Sequence, residues 1–407
     1  MNLRRLASLF LLGASSGLPL FLTSKTLQAW MTNAGTDIRS IGLFSLASVP
    51  YSLKFLWAPL LDRFQLPFGG RRRGWIILSQ VLLAVAVAGM AACDPRAALV
   101  PLAAAAVLVA FLSASQDIAF EAWRVDVLPA EERGTGASVG VLGYRFALLL
   151  TGAAALVWSD RLGWRTIYLL LAGLQILLVL VTVFAPEPKA PPKVPASLRE
   201  AVVLPFVAFV QTRGWQAALV SLGFVACFKW GVYLVSASST PFLIGMGYTN
   251  AEVGTVLGGA GLVATLVGTA AGGVAMSRLS VNKALWIFGI LQGACGLLFW
   301  TLAAQGRSPV LLICAVVSEN FFVGMGSAAL VAWMLGQCDP RYSATQFALL
   351  SSLMAFSRDV LTAPWGWLSR ATGWPAFFLL TLAACLPGLV LLALSGRRTE
   401  PTITSAD

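Results

Sequence analysis

An all-α integral membrane protein is the predicted fold class: twelve transmembrane helices in two pseudo-symmetric six-helix bundles. Three observations predict it. The 407 residues are 58% hydrophobic and only 11% charged, with mean hydropathy +0.81, which excludes an ordinary soluble domain. Apolar windows of about twenty residues, the length that crosses a bilayer, recur along the whole chain. Near the middle, APEPKAPPKVPASLRE at 185–200 is too rich in proline and charge to cross a membrane and divides the windows into two sets.

The expected helices run over 6–31, 38–61, 75–93, 98–123, 135–158, 165–185, 215–245, 250–276, 284–304, 309–336, 345–369 and 374–395. Arg4 and Arg5 precede an apolar run as in a signal peptide, but that run continues through Leu27 to Trp30, so an uncleaved first helix is expected. The domains are then an N-terminal bundle over 1–185, a cytoplasmic linker over 186–213 whose stretch 198–212 lies along the membrane surface, a C-terminal bundle over 214–396, and a cytoplasmic tail over 397–407. GTDIRSIG at 35–42 and GYTNAEVG at 247–254 each follow the first helix of a half, a faint internal repeat of the kind transporters carry.

The net charge of +11 comes from short basic clusters between apolar windows, mostly on the side of the termini. That pattern sets topology, with both termini cytoplasmic, and gives no reason to expect nucleic acid. Of fourteen tryptophans all but Trp230 lie near predicted helix ends, as an interfacial belt requires. The six cysteines are isolated, there is no CxxC, and histidine is absent. A disulfide framework, a metal site and a bound cofactor are therefore not expected, and neither is an enzyme, which would need a nucleophile with its base or a metal cluster.

Function is carried by side chains that are costly in a bilayer. Lys25, Lys54, Asp117, Glu121, Arg145, Lys229, Glu319, Arg358 and Asp359 all fall inside apolar runs, together with the deep Trp230. A charge at mid-depth costs about 2.5–3.5 kcal/mol on insertion scales, so such groups line a polar pathway or pair with one another. Asp117, Glu121 and Arg124 are spaced i, i+4, i+7, one helical stripe. Without histidine, proton coupling falls to a buried carboxylate. Asp117 and Glu121 are the first candidates; the alternative is an internal salt bridge to Lys54 or Arg145.

DRFQLPFGGRRRG, from Asp62, resembles the loop motif of the major facilitator superfamily, with extra residues between Arg63 and Gly70. On that resemblance Asp62, Arg63, Arg71, Arg72 and Arg73 latch one conformation through a helix N-terminus, carboxylates or anionic lipid; the alternative is a purely topogenic basic loop. SASQDIAFEAWRVDVLPAEERG, FLTSKTLQAWMTNAG, YSLKFLWAPLLDRF, FGGRRRGW, GMGSAALVAWMLGQC and RYSATQFALLSSL together look like the AmpG-type muropeptide permeases of that superfamily, over residues 10–395.

The resemblance implies the superfamily fold and proton-driven import of N-acetylglucosaminyl-1,6-anhydro-N-acetylmuramyl peptides across the bacterial inner membrane, serving peptidoglycan recycling and β-lactamase induction. Its partners would be solute, protons and lipid, and the protein is expected to be monomeric. The solute's carboxylates call for the cations Lys25, Lys54, Arg145, Lys229 and Arg358. Its sugars call for Trp230, Tyr51, Tyr144 and Tyr233, with Gln116 and Asn320 as hydrogen-bonding partners. Trp230 either stacks on a sugar ring or packs between helices. Family members often carry Asp where this chain has Val232; if that carboxylate carries the proton in them, this chain uses Asp117, Glu121 or Glu319, with Asp359 a further acidic candidate, or couples differently. Some relatives extend by two further C-terminal helices. A superfamily member for another anionic solute, such as a siderophore, a CoA thioester or a peptide, is the competing expectation.

Overall fold

A computed structural model describes residues 3–70, 72–128, 132–186, 210–211, 214–337 and 343–396. Every regular element among them is helical. Among the described residues, ten helices are long and apolar enough to span a membrane. The expected spans at 215–245, 250–276 and 309–336 coincide with Trp215–Gly245, Asn250–Met276 and Pro309–Gly336. The second and eleventh crossings are present but broken. The second alternates α and 3-10 geometry through Ile38–Leu43, Phe44–Ser48, Val49–Leu53, Lys54–Leu56 and Ala58–Arg63, because Pro50 and Pro59 each remove an N–H from the ladder. The eleventh runs over Ser343–Thr362, turns at Ala363–Pro364, and resumes at Trp365, with Gly373 (φ 75°) separating it from the twelfth. The expected linker, apart from 186 and 210–211, and the tail at 397–407 lie outside the described residues.

Two compact units form. One contains the described residues up to 186 together with 240–259; the other contains 210–211, 214–239 and 260–396. The expected boundary was the linker alone, and 240–259 departs from it. The reason is local: a Cβ on Gly254 or Gly258 would lie 2.8 Å from backbone atoms of Ala153, and Asn250 bonds to Ser159, Asp160 and Asn33.

Each unit closes one seam with glycines. In the first, Gly13 and Gly17 press against Gly140 and Tyr144, and Gly143 against Phe10. In the second, Gly268 and Gly272 press against Phe321 and Met325, and Gly324 against Thr265. Small residues four apart allow backbones to touch, which is how helices associate where lipid offers no hydrophobic drive.

The faint repeat has a structural counterpart. Gly35 (φ 74°) and Gly247 (φ 86°) both occupy the left-handed region. Two residues later Asp37 and Thr249 both cap a new helix, accepting from Arg39 N–H and Glu252 N–H. The tryptophan belt needs correction. Trp158, Trp215, Trp300 and Trp367 are exposed, but Trp123 and Trp365 are fully buried, and Trp30 and Trp333 nearly so. Position near a helix end therefore does not make these four interfacial; Trp123, for one, spends its N–H on the Pro186 carbonyl at 2.9 Å.

Candidate functional site

The first unit's candidate groups sit on its first, second, fourth and fifth crossings. The first crossing is Leu3–Leu22 and Lys25–Asn33, interrupted at Thr23–Ser24. There the Thr23 and Ser24 hydroxyls both donate to the Leu20 carbonyl, competing with the helix ladder. Tyr168 O–H donates to the Leu22 carbonyl at 2.9 Å, satisfying an acceptor near the break. Lys25 lies just beyond, half-buried, with its ammonium 5.9 Å from the Phe21 ring centroid.

On the fourth crossing, Leu99–Val127, Asp117 is half-buried and accepts from Ser16 O–H. Glu121 is exposed and pairs with Lys54 at 3.6 Å. Arg124 lies over the Phe120 ring at 5.9 Å. The internal pair with Lys54 is thus formed, and by Glu121 rather than Asp117. Tyr51, Tyr144 and Arg145 are half-buried.

Gln116 does not face the same way as Asp117. It is 1% exposed and its amide is engaged on both sides: Nε2 donates to Ser15 Oγ at 2.9 Å, and Oε1 accepts from Gln175 Nε2 at 2.9 Å. Gln80 Nε2 also donates to Ser15 Oγ at 2.9 Å, and its Oε1 accepts from Thr182 at 2.7 Å. This buried chain ties the first, third, fourth and sixth crossings together. The expectation that Gln116 hydrogen-bonds solute is corrected: adjacent helical residues point about 100° apart, and here the turn carries it into the bundle.

In the second unit the seventh crossing breaks at Phe228–Lys229, between Trp215–Cys227 and Trp230–Gly245. The break lets both Lys229 and Trp230 enter polar contacts. Lys229, 4% exposed, donates to Ser327 Oγ and, at 3.5 Å, to the Val323 carbonyl. Its ammonium is 5.6 Å from the Tyr233 ring centroid. It makes no ion pair among the described residues. Trp230 N–H donates to the Leu361 carbonyl at 3.1 Å. Arg358 pairs with the buried Asp359 at 2.8 Å. Glu319, 5% exposed, lines a narrow crevice with Gly231, Val232, Gln292, Thr381 and Cys385. Asn320 accepts from Thr265 of the eighth crossing at 3.1 Å and donates to the Val316 carbonyl of its own helix at 2.9 Å.

A buried cation, carboxylates and aromatic rings inside a membrane bundle have the chemistry to hold an anionic solute. Sequence comparison gives the family. The profile of the Major Facilitator Superfamily matches residues 8–362. The chain belongs to the Major Facilitator Superfamily.

Among superfamily relatives, it is 47% identical over 401 residues to the anhydromuropeptide permease of Escherichia coli K12, covering 98% of this chain and 81% of that one. It is 35% identical to the Rickettsia conorii protein designated AmpG 4, over 95% of each. The resemblance to AmpG-type permeases is therefore borne out. Solved structures of superfamily fold also match: a bacterial homologue of the human lysosomal transporter Spinster at TM-score 0.75 and 17% identity, over 98% of each chain, and the nucleoside transporter NupG at 0.71 and 13%, over 97% of this chain and 100% of that one. These two show the fold alone.

Of the superfamily loop residues, Arg72 is buried and pairs with Asp126 at 3.1 Å. Arg73 donates to the Val183 and Ala185 carbonyls at 3.1 and 2.8 Å, capping the sixth crossing. Arg71, and the side chains of Asp62 and Arg63, lie outside what is described. Val232 and Glu319 line the same crevice, so a carboxylate from the tenth crossing approaches the seventh crossing at Val232. Sequence reasoning missed Ser16 and Ser327, each bonded to a deep charge. The available signal for Ser327 is that it is the sole hydroxyl in FFVGMGSAALVAW.

Proposed function

We propose that this superfamily transporter imports anhydromuropeptides from the periplasm into the cytoplasm across the bacterial inner membrane, by proton-coupled alternating access with both termini cytoplasmic, as a monomer. The observation that carries the reading is Lys229: a 4%-exposed cation held only by neutral groups among the described residues. Leaving a buried charge without a counter-ion is costly, and a solute carboxylate removes that cost. Of the other cations, Lys54 and Arg358 have carboxylate partners, and Arg145 and Lys25 join Lys229 in meeting the solute's carboxylates. Trp230, with its N–H fixed, offers a ring face to a sugar, flanked by Tyr233, while Tyr51 and Tyr144 serve from the first unit. Asp117 carries the proton, with Glu121, Glu319 and Asp359 as further acidic groups of the pathway, and the basic loop gates it.

The named relatives support this substrate over siderophores, CoA thioesters and free peptides. Uptake of labelled N-acetylglucosaminyl-1,6-anhydro-N-acetylmuramyl tripeptide into right-side-out membrane vesicles tests it. Gradient-dependent accumulation, competed by unlabelled anhydromuropeptide and untouched by the other three classes, is the expected result. Equal competition by a siderophore, CoA thioester or free peptide contradicts the assignment.

A further inference from the structure

We infer that Ser327 is a positioning residue that aims the Lys229 ammonium at the solute's anionic group without neutralising it. The inference rests on the reading of Lys229 given above and extends it to Ser327 on the tenth crossing, two turns beyond Glu319.

The argument begins with hydrogen inventory. A serine hydroxyl has one hydrogen, and Ser327 gives it to the Val323 carbonyl one turn earlier, at 2.7 Å. The oxygen then presents only lone pairs. A lysine ammonium has three donors and no acceptor. One N–H meets Ser327 Oγ and a second is directed at the same Val323 carbonyl, 3.5 Å away. The Tyr233 ring, one turn along the seventh crossing, borders the ammonium at 5.6 Å. Two donors are fixed by one turn of the tenth crossing, and the third remains to be used.

The neutrality of the cradle is what makes it a positioning device. A carboxylate at 327 would hold the lysine more tightly, but it would cancel the charge, and an anionic solute would then have to displace it. A hydroxyl and a carbonyl hold the flexible four-carbon stem in one rotamer and leave the charge available. Fixing that stem before binding removes an ordering cost the ligand would otherwise bear. The immediate surroundings offer no substitute, since Ser327 is flanked by Gly326, Ala328 and Ala329.

The test is a double-variant cycle on the full-length protein in nanodiscs, reading anhydromuropeptide Kd by calorimetry and uptake kinetics in vesicles, with thermal melts confirming folding. Ser327→Ala is expected to raise Kd and KM about tenfold while the maximal uptake rate stays unchanged, and Ser327→Thr to restore both. Ser327→Asp is expected to abolish high-affinity binding in a folded protein. In a Lys229→Ala background, Ser327→Ala is expected to change Kd less than twofold, because the group it positions is gone. A tenfold loss persisting in that background, a loss of maximal rate in place of affinity, or an unchanged Kd in Ser327→Ala overturns the inference. Normal affinity in Lys229→Ala alone is a different failure, which removes the reading beneath it.

Discussion

Lys54 of the first unit and Lys229 of the second are held in opposite ways. Lys54 is matched by Glu121, and near it Asp117 accepts from a serine hydroxyl and a ladder of three glutamines lies almost wholly buried. In the second, the most buried cation is answered only by a hydroxyl, a carbonyl and a ring. The difference teaches where a ligand's charge has something to gain. A solute carboxylate entering the first unit must compete with Glu121 for Lys54, whereas at Lys229 it meets an uncancelled charge whose desolvation is already complete.

The largest expected effect follows from that contrast. Lys229→Ala should weaken anhydromuropeptide binding by about 3 kcal/mol or more, roughly a hundredfold, without lowering thermal stability, because removing an unpaired buried charge relieves its desolvation. Binding by calorimetry and a melt on the same sample check both halves. A loss of stability with intact affinity would make Lys229 structural and erase the contrast.

Next in size, Asp117→Asn should end gradient-driven accumulation while counterflow exchange of solute continues, because an amide retains the contact with Ser16 but cannot carry a proton. Glu121→Gln, at an exposed position, should keep accumulation. If Asp117→Asn accumulates solute normally, the carrier lies among Glu121, Glu319 and Asp359.

The glutamine ladder should matter for stability and not for binding. Gln116→Leu leaves the buried Gln175 amide without its acceptor and Ser15 with Gln80 as its remaining glutamine donor, a cost of about 1–3 kcal/mol, seen as a lower melting temperature with Kd unchanged. A selective loss of affinity would return Gln116 to the solute. The smallest effect is expected at the exposed pair: Lys54→Ala should cost about 0–1 kcal/mol in stability, since the Glu121 side chain is 57% exposed and water replaces its partner.

Much of this arrangement is legible in the sequence, and the rest is not for stateable reasons. Length and hydropathy locate the crossings, because the bilayer imposes one period on every helix. The paired Gly–x–cap turns at 35–37 and 247–249 show in the faint repeat, since left-handed glycines and N-cap residues have their own chemical signature. The deep charges are visible because each is anomalous in an apolar run. What they bond to is not visible. Spacing places Asp117 and Glu121 on one stripe, yet their partners, Ser16 and Lys54, come from other helices. Burial of Trp123 and Trp365 escaped the same reasoning: sequence gives distance from a helix end, not the facing direction. Ser16 and Ser327 are ordinary residues whose importance arises only from the charge beside them.

The central claim is that Lys229 recognises negative charge on the solute, and changing the charge on both sides tests it most directly. Kd would be measured for an anhydromuropeptide and for its analogue with every stem-peptide carboxylate amidated, each against the parent protein and Lys229→Met. The account predicts that amidation weakens binding to the parent about a hundredfold and has less than a threefold effect on Lys229→Met, so that the two changes are strongly non-additive. Equal losses on amidation in both proteins would mean that the carboxylates are read elsewhere, and would contradict the account.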